Sequence, residues 1–369
     1  MSRMMNHWKY ADWWGAPKET VVTLGEGGTP LIRSAKLGAE LGLRELWFKF
    51  EGANPTGSYK DRFAASAVSH LVRDGKKMCL GTSSGNTGAA VAAYCARARI
   101  GCFLAIVEGA PEGKLRQMLA YGARLVRIKN FGSSPGISAE VMNGLKGLAA
   151  EMSAGLEISA FVFSPRGMAG VMTISFEIAE QLGAKPMQVF SPAGAGGLTL
   201  AVARGFEVLS ERQNWRGCAS VHCVQPAGND TIASALREGA TTARAVESKT
   251  AVSGLQVGGV LDGNDVIAAC RRSGGQGHVV TDEQAWAWQA RLAKEEGIFC
   301  EPAGAVALAG VAAAVARGEV AAENPVVCLV TGSGFKDERA LTRMVGTEAT
   351  PLVEDFAAFA AEVRRAAGR

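Results

Sequence analysis

Short apolar segments alternate with longer alanine-rich segments through most of this chain, from about residue 45 to residue 331. The short segments have the length and the residue types of buried β-strands, and they lie at 46–50, 77–80, 102–107, 124–128, 188–191, 220–224 and 326–330. The longer ones have helical spacing and lie at 89–98, 112–121, 173–182, 198–210, 283–296 and 303–316. This alternation predicts an α/β fold with a mostly parallel sheet, in which ligands bind at loops leaving the carboxyl ends of strands.

Length and charge narrow the class of protein. A chain of 369 residues is about right for two domains. Its net charge of +4 is spread along the sequence without a Lys/Arg block, so no nucleic-acid partner is expected. No apolar stretch reaches transmembrane length, and residues 1–15 lack the apolar core of a signal peptide. We therefore expect a soluble, cytoplasmic protein with no membrane partner.

The cysteines and histidines predict neither disulfides nor a metal site. None of the eight cysteines belongs to a CxxC pair, and several lie inside apolar runs, as Cys79 and Cys328 do. This pattern is typical of buried free thiols. The four histidines are scattered along the chain, which does not suggest a zinc site.

The first of four unusual loops, residues 48–62, ends in a lysine. Asn-Pro and Thr-Gly pairs mark turns, and the helical pattern resumes after Lys60. At the start of a helix, the positive end of the dipole disfavours a protonated amine. Lys60 is therefore a candidate nucleophile toward a carbonyl, although the position alone also fits a surface lysine in a turn.

The second loop, residues 81–88, lies between a predicted strand and a helix. Its hydroxyls and its amide, together with free backbone N–H groups at the helix start, predict an anion site suited to a carboxylate. It also matches the G-x-S-x-G pattern of α/β-hydrolases, with Ser83 as nucleophile. That alternative requires Asp262 or Asp265, followed by His278, to complete a triad.

The third and fourth loops also follow predicted strands. Residues 191–198 contain successive glycines, whose N–H groups can surround a phosphate at the start of a helix. A dinucleotide-binding fingerprint needs a small residue at position 199 and an acid at position 225, but the chain has Thr199 and Gln225. A ligand with a single phosphate therefore fits better than a dinucleotide. The fourth loop, 331–337, begins with Thr331, whose hydroxyl can bond a heterocycle nitrogen or simply satisfy a turn.

Taken in order, these segments resemble the fold-type II pyridoxal-phosphate enzymes, and most closely the threonine synthases among them. The most specific match is NPTGSYKDR at 54–62. The other matches are EGGTPL at 26–31, SSGNTGAA at 83–90, GAGGL at 194–198, EPAGA at 301–305 and TGSGFKD at 331–337. The resemblance therefore extends over nearly the whole chain.

The resemblance implies pyridoxal 5'-phosphate as cofactor, a small amino acid as substrate, a homodimer, and Lys60 as the catalytic Schiff-base lysine. The other cofactor ligands would be Asn86 at the phenolic oxygen, Gly194, Ala195, Gly196, Gly197 and Leu198 at the phosphate, and Thr331 at the pyridine nitrogen. The substrate ligands would be Ser83, Ser84 and Thr87 at the carboxylate, with Arg166 nearby. Glu301 lies near the site in relatives, although an acid that simply opens a helix is the competing interpretation.

The fold implied is a pair of three-layer α/β domains. The large cofactor-binding domain would comprise residues 1–60 and 171–350, and the small mobile domain residues 61–170. Residues 351–369 would form a helical tail. Closure of the small domain on the substrate carboxylate would exclude water from the site.

The substrate is less clearly indicated. Similar threonine synthases carry a stretch like NPxRxEGQKT, but here Gly167, Ala169 and Met172 replace its Arg, Glu and Lys. Arg166, one place early, is a candidate replacement cation, as are Lys49, Lys114 and Lys249. Relatives also have Gly where this chain has Phe63.

Two functions stay open. One is a threonine synthase, a carbon–oxygen lyase that converts O-phosphohomoserine into threonine and phosphate. The other is a related ammonia-lyase, dehydratase or β-replacement enzyme acting on another amino acid, including one with an anionic side chain. A hydrolase using Ser83 and a non-catalytic relative with a binding role are remoter alternatives.

Overall fold

The structure, a computed structural model, describes residues 7–346 and 350–368. Within these ranges strands and helices alternate as the sequence predicts. The strands are β1 (Leu31–Arg33), β2 (Leu46–Phe50), β3 (Met78–Thr82), β4 (Gly101–Val107), β5 (Arg124–Ile128), β6 (Gly155–Leu156), β7 (Pro186–Pro192), β8 (Cys218–Pro226), β9 (Gly277–Val280) and β10 (Val326–Val330).

The helices connect these strands. The α-helices are α1 (Ala11–Trp14), α2 (Leu37–Glu40), α3 (Lys60–Arg73), α4 (Asn86–Ala98), α5 (Glu112–Ala120), α6 (Pro135–Glu151), α7 (Pro165–Val171), α8 (Thr173–Leu182), α9 (Gly197–Arg212), α10 (Ala233–Arg237), α11 (Gly263–Arg272), α12 (Asp282–Glu296), α13 (Pro302–Ala316), α14 (Glu338–Val345) and α15 (Phe356–Ala366). Short 3-10 helices lie at His7–Tyr10, Lys18–Thr20, Glu51–Ala53 and Gly334–Lys336. None of the helices in the described ranges is long and apolar enough to span a lipid bilayer.

The strands form two sheets. The first has the order β1-β2-β10-β7-β8-β9 and is parallel except for β1, while the second has the order β5-β4-β3-β6 and is parallel throughout. The predicted α/β class is confirmed. All strands of the second sheet come from residues 78–156, inside the predicted small domain, whose boundaries stay a prediction.

The site-bearing loops leave the same end of the parallel strands. In the first sheet β10 is paired on one side with β2 and on the other with β7, so Val330 and Phe50 lie side by side. Helix α13 is apolar on all sides and is buried against β7, β8 and β10. At Gly310 a Cβ atom would lie 2.6 Å from Val224, so this helix needs a glycine to approach the sheet. That close contact holds α13 against the sheet, and Glu301 directly precedes the first residue of this helix.

A buried ionic cluster joins the start of α3 to β2 and α8. The Arg62 guanidinium donates to Glu51 Oε2 at 2.8 Å and to Glu177 Oε1 at 2.6 Å. Lys49 Nζ lies 2.7 Å from Glu177 Oε2 and donates to the carbonyl of Thr29 at 2.8 Å. Lys49 is thus fully engaged inside the core, and the suggestion that it could bind substrate is wrong.

Some local predictions need correction. The short strands β1, β6 and β9 were not predicted, because two to four residues carry too little pattern to distinguish them from loops. The tail contains a helix, α15, and none of its residues is buried. All eight cysteines are free thiols, as predicted, and only Cys218 is exposed.

We expect the Arg62→Met variant to lose about 3–5 kcal/mol of unfolding free energy, because it leaves the buried Glu51 carboxylate without its ion-pair partner and Glu177 with Lys49 alone. Urea unfolding followed by fluorescence would measure the loss. Arg365→Gln is the matched control, since Arg365 pairs with Glu362 on an exposed helix and its loss is expected to leave the unfolding free energy nearly unchanged. Equal midpoints for the two variants would contradict this role for the cluster.

Candidate active site

Lys60 is the first residue of α3, and its amine lies in a cavity beside a neutral partner. Its Nζ donates to Ser159 Oγ at 2.8 Å and lies 4.5 Å from the centre of the Tyr59 ring. Burial lowers the pKa of the Lys60 amine to about 8, although the carboxylates of Glu301 and Asp262 act in the opposite direction. More of the amine is therefore neutral, and nucleophilic, at neutral pH than in an ordinary lysine.

The loop after β3 faces this lysine. Its residues Ser83, Ser84 and Thr87 line the cavity at the start of α4. The hydroxyls of Thr87 and Ser159 are hydrogen-bonded at 2.9 Å, so Ser159 connects the loop to Lys60. No side chain caps the first turn of α4, so its N–H groups are suited to bind an anion. The surroundings predicted for a carboxylate are thus assembled next to the amine.

The glycine-rich turn between β7 and α9 lies on another side of the cavity. Gly196 has a φ of +97°, and a Cβ atom there would lie 2.7 Å from Val266, so both conformation and space require glycine. At Gly197, the first residue of α9, a Cβ atom would lie 3.0 Å from Met168. The turn brings bare backbone N–H groups to the start of a 16-residue helix, which suits a phosphate group.

Gln225, at the end of β8, supports this turn. Its Nε2 donates to the carbonyl of Gly194 at 3.1 Å and its Oε1 accepts from the backbone N–H groups of Ile232 and Ala233. Residue 225, which would be an acid in a dinucleotide site, is thus a glutamine that holds the glycine-rich turn in place. Together with the part-buried amine of Lys60, the turn fits a phosphorylated aldehyde of the size of pyridoxal phosphate.

Asn86, Glu301 and Thr331 form one polar cluster at the site. Asn86 Nδ2 donates to both carboxylate oxygens of Glu301, at 2.9 and 3.0 Å, and Thr331 Oγ1 lies 3.4 Å from Glu301 Oε1. Burial raises the pKa of the Glu301 carboxyl above its usual range. At Gly332 a Cβ atom would lie 2.4 Å from Glu301 Oε1, so the carboxyl group can approach only because residue 332 is glycine. Glu301 therefore lies inside the site and does more than open α13.

One cavity of about 890 Å³ brings nearly all the predicted site residues together. Among the residues of the described ranges, it is lined by Lys60, by the loop before α4, by the whole turn from Gly194 to Leu198 and by Thr331. Arg166 is the one predicted site residue that does not line it. Its guanidinium instead pairs with Asp74 Oδ2 at 2.7 Å, at the far end of α3 from Lys60.

The two departures from the threonine synthase pattern are in contact. A Cβ atom at Gly167 would lie 2.6 Å from Cε2 of Phe63, and Phe63 is fully buried between α3 and α7. Phe63 therefore excludes an arginine side chain from position 167. Arg166 does not take its place in the cavity, and neither does Lys249, whereas Lys114 does line the wall.

The hydrolase alternative is wrong on geometry. His278 is buried in the first sheet, where its Nε2 lies 3.0 Å from His222 Nδ1. In the part of the chain that the structure describes, no histidine lines the cavity that contains Ser83. Asp262 accepts the backbone N–H groups of Phe161 and Val162, so it does not orient a histidine.

Ser159 and Lys336 are site residues that sequence reasoning missed. Ser159 follows β6, a two-residue strand with no readable pattern, so its position at a strand end was not visible. Lys336 lies within the quoted TGSGFKD motif and was given no role there. Its charge would have been the signal, because few cations stand in loops at strand ends.

Comparison with known proteins decides the family. A family model described as "Pyridoxal-phosphate dependent enzyme" matches residues 22–332. The chain belongs to the pyridoxal-phosphate-dependent enzymes. Its cofactor is therefore pyridoxal phosphate, as the resemblance implied.

Curated relatives agree with this assignment, and solved structures show a similar fold. The threonine synthase of Methanocaldococcus jannaschii is 34% identical over 352 residues, covering 92% of this chain and 83% of the relative. The threonine synthase of Halalkalibacterium halodurans is 32% identical over 363 residues, covering 96% of this chain and 97% of the relative. The fold is similar to that of Escherichia coli diaminopropionate ammonia lyase (TM-score 0.73, 18% identity, 94% and 93% covered). It is also similar to that of processed threonine deaminase isoform 2 of Solanum lycopersicum (TM-score 0.72, 24% identity, 92% of each chain).

We expect borohydride reduction of the holoenzyme to attach the cofactor covalently to Lys60. Its amine is part-buried, has a lowered pKa and lies in the same cavity as the glycine-rich turn. Mass spectrometry of the digested protein would locate the label. Lys60→Ala is expected to carry no label, while the control Lys249→Ala is labelled at Lys60 as the parent is. A label on any other lysine in the parent protein would contradict the assignment.

The pKa of Lys60 predicts the pH dependence of cofactor capture by the apo protein. Since only the neutral amine attacks the aldehyde, the rate is expected to rise about tenfold per pH unit below pH 8 and then level off. Glu301 raises this pKa, so in Glu301→Gln the plateau should begin at lower pH. Stopped-flow absorbance would record both profiles. A parent profile that levels off only near pH 10.5, the ordinary lysine value, would overturn the expectation.

Proposed function

We propose that this protein is a threonine synthase, which converts O-phosphohomoserine into threonine and phosphate. The observation that carries the proposal is the site itself, where a part-buried lysine amine faces the hydroxyl-rich start of α4 across one cavity. Relatives that bear the name threonine synthase are 32–34% identical over most of the chain, which supports it.

When bound, pyridoxal phosphate withdraws electrons from the carbon next to the substrate amino group and so makes its proton acidic. We assign the movement of that proton to Lys60 Nζ, whose pKa of about 8 lets it both accept and return a proton near neutral pH. Ser159 orients this amine, since it accepts a hydrogen bond from Nζ while bonding Thr87. The same two hydroxyls would sense the substrate carboxylate, which links substrate binding to the position of the base.

Thr331 supports an elimination in which the leaving group departs promptly. We assign its hydroxyl to the pyridine nitrogen, following the family resemblance. A neutral hydroxyl there leaves the ring without a proton and makes it a weaker electron sink than an aspartate would. This suits loss of a leaving group from the β-carbon, which can depart as soon as the α-proton is removed, whereas the γ-phosphate of O-phosphohomoserine leaves only after a β-proton is removed as well.

Both sheets contribute walls to the cavity, which supports closure of one part on the other. The loop before α4 and the start of α5 come from the second sheet, while the glycine turn and residues 331–343 belong to the first. We propose that residues 61–170 move as the small domain, against residues 1–60 and 171–350. Closure would exclude water and complete the carboxylate site.

The second candidate is elimination or β-replacement on another amino acid by an ammonia-lyase or dehydratase type of enzyme. The contact between Phe63 and Gly167 favours it, because it removes the arginine that similar threonine synthases use to hold the substrate phosphate. Charge-assisted bonds of that kind are worth about 1.5–3 kcal/mol each, so their loss would weaken phosphohomoserine binding unless other cations act.

We also propose a cytoplasmic homodimer, as the family resemblance implies. Helix α15 supports association with a partner, because none of its residues is buried and it exposes Phe356 and Phe359. Exposed aromatic side chains on one short helix are typical of an interaction surface.

Purified holoenzyme is expected to form threonine and phosphate in equal amounts from O-phosphohomoserine, as measured by amino-acid analysis and a phosphate assay. Lys60→Ala should lower the rate by at least about 100-fold, since it removes the base. A panel of β-substituted amino acids, assayed for ammonia and keto acid, tests the second candidate. Phosphate without threonine, or activity only on the panel, would exclude the synthase.

A further inference from the structure

Two lysine side chains reach across the cavity, each from one wall to the other. Lys114 belongs to α5, on the side of the second sheet, and its Nζ is hydrogen-bonded to Ser253 and lies 3.7 Å from Asp337 Oδ2. Lys336 follows β10 of the first sheet, and its Nζ donates to Gln117 Oε1 of α5 at 2.6 Å. Each ammonium group thus reaches the opposite wall, so the pair spans the gap between the two sheet-bearing parts of the chain.

The two ammonium groups border a small compartment next to the cofactor site. This compartment has a volume of about 130 Å³, room for a group of the size of a phosphate. Asn86 and Glu301 line both this compartment and the larger cavity, so the compartment adjoins the site around Lys60. It therefore lies where the side chain of a bound amino acid could extend from the reacting carbon.

The two lysines have few direct ion-pair partners. The close partners of their Nζ atoms are a hydroxyl and an amide, and the only carboxylate paired with either in the described ranges is Asp337, at 3.7 Å from Lys114. Burial lowers the pKa of Lys336 below its usual range, although the carboxylates of Glu301 and Asp61 act in the opposite direction. Each ammonium group keeps donors free, because it has three N–H bonds.

The larger cavity also has an excess of positive charge. Among the residues that the structure describes, its cationic lining residues are Lys60, Lys114, Lys336, Arg339 and Arg343. Three carboxylates oppose these five cations, those of Glu301, Asp337 and Glu338. Glu301 is bonded by Asn86, and Asp337 accepts the backbone N–H of Ala340 at the start of α14, so two of the three are already engaged within the protein.

We propose that Lys114 and Lys336 form the subsite for the phosphate group on the substrate side chain. The pair takes over the task of the arginine that Phe63 excludes from position 167. A phosphate bound here contacts residues from both walls, so the substrate itself draws the two parts of the chain together. This inference rests on the proposed function, since it concerns a phosphorylated amino acid in the same site.

The test compares two ligands that differ only in the anionic group. In 2-amino-5-phosphonopentanoate a CH2 replaces the ester oxygen of O-phosphohomoserine, so no phosphate can leave, and norvaline has the same carbon chain without the phosphonate. Calorimetry on the holoenzyme would give Kd for each. Lys114→Gln and Lys336→Gln are each expected to weaken phosphonate binding by about 10-fold to 100-fold and to leave norvaline binding unchanged.

Two kinds of control make the result specific. Unchanged norvaline binding shows that a variant is folded with an intact carboxylate site, and Lys336→Arg, which keeps the charge, should retain most of the phosphonate affinity. Arg166→Gln, at the cation suggested by sequence but paired with Asp74, should behave as the parent. The proposal is overturned if Arg166→Gln weakens phosphonate binding while the lysine variants do not, or if all variants bind it equally.

The outcomes separate this inference from the proposed function. If the parent enzyme forms threonine but neither lysine substitution changes its affinity for the phosphonate, the proposed function stands and the subsite is rejected. If phosphonate binding depends on the two lysines but the enzyme forms no threonine, the subsite stands and the threonine synthase proposal is rejected. Equal affinity of the parent enzyme for norvaline and the phosphonate would reject the subsite outright.

Discussion

The ionic cluster around Arg62 is the constraint on which the site depends. Arg62 lies two residues after Lys60 and is bonded to one carboxylate directly after β2 and one in α8, so the first turn of α3 cannot shift without separating buried charges. Such a cluster contributes little net stability compared with a well-packed apolar core, but removing one member is costly. Its effect is therefore positional, because it fixes the start of the helix that carries the amine.

Burial then sets the chemistry of the groups held in place. Loss of water lowers the pKa of the Lys60 amine and raises the pKa of the Glu301 carboxyl, so both are closer to neutral than they would be on the surface. The neutral hydroxyl of Ser159 beside Lys60 preserves this balance, whereas a carboxylate there would hold the amine protonated. The site thus obtains a usable base from desolvation and from the choice of a weak partner.

Much of this could be predicted from sequence because it depends on local pattern. The strand at 46–50, the strand at 326–330 and the helix at 173–182 have the predicted bounds, since each is a long apolar or periodic run. Lys60 and the glycine turn could be singled out because they lie in strand-end loops, which converge in a parallel sheet, while their roles were implied by the family resemblance. Ser159 was missed because β6 is two residues long, and Arg166 was misplaced because the pairing with Asp74 depends on tertiary packing.

The contact between Phe63 and Gly167 has a consequence for how such a chain can change over time. The two positions form an ordered pair, since a larger residue at 167 clashes until the ring at 63 has gone, whereas removing the ring first leaves an unfilled space between α3 and α7. Each route passes through a less stable intermediate. The packing of α3 against α7 therefore makes it difficult for a descendant of this protein to regain an arginine at position 167. Helix packing away from the reacting atoms thus constrains how the substrate can be recognised.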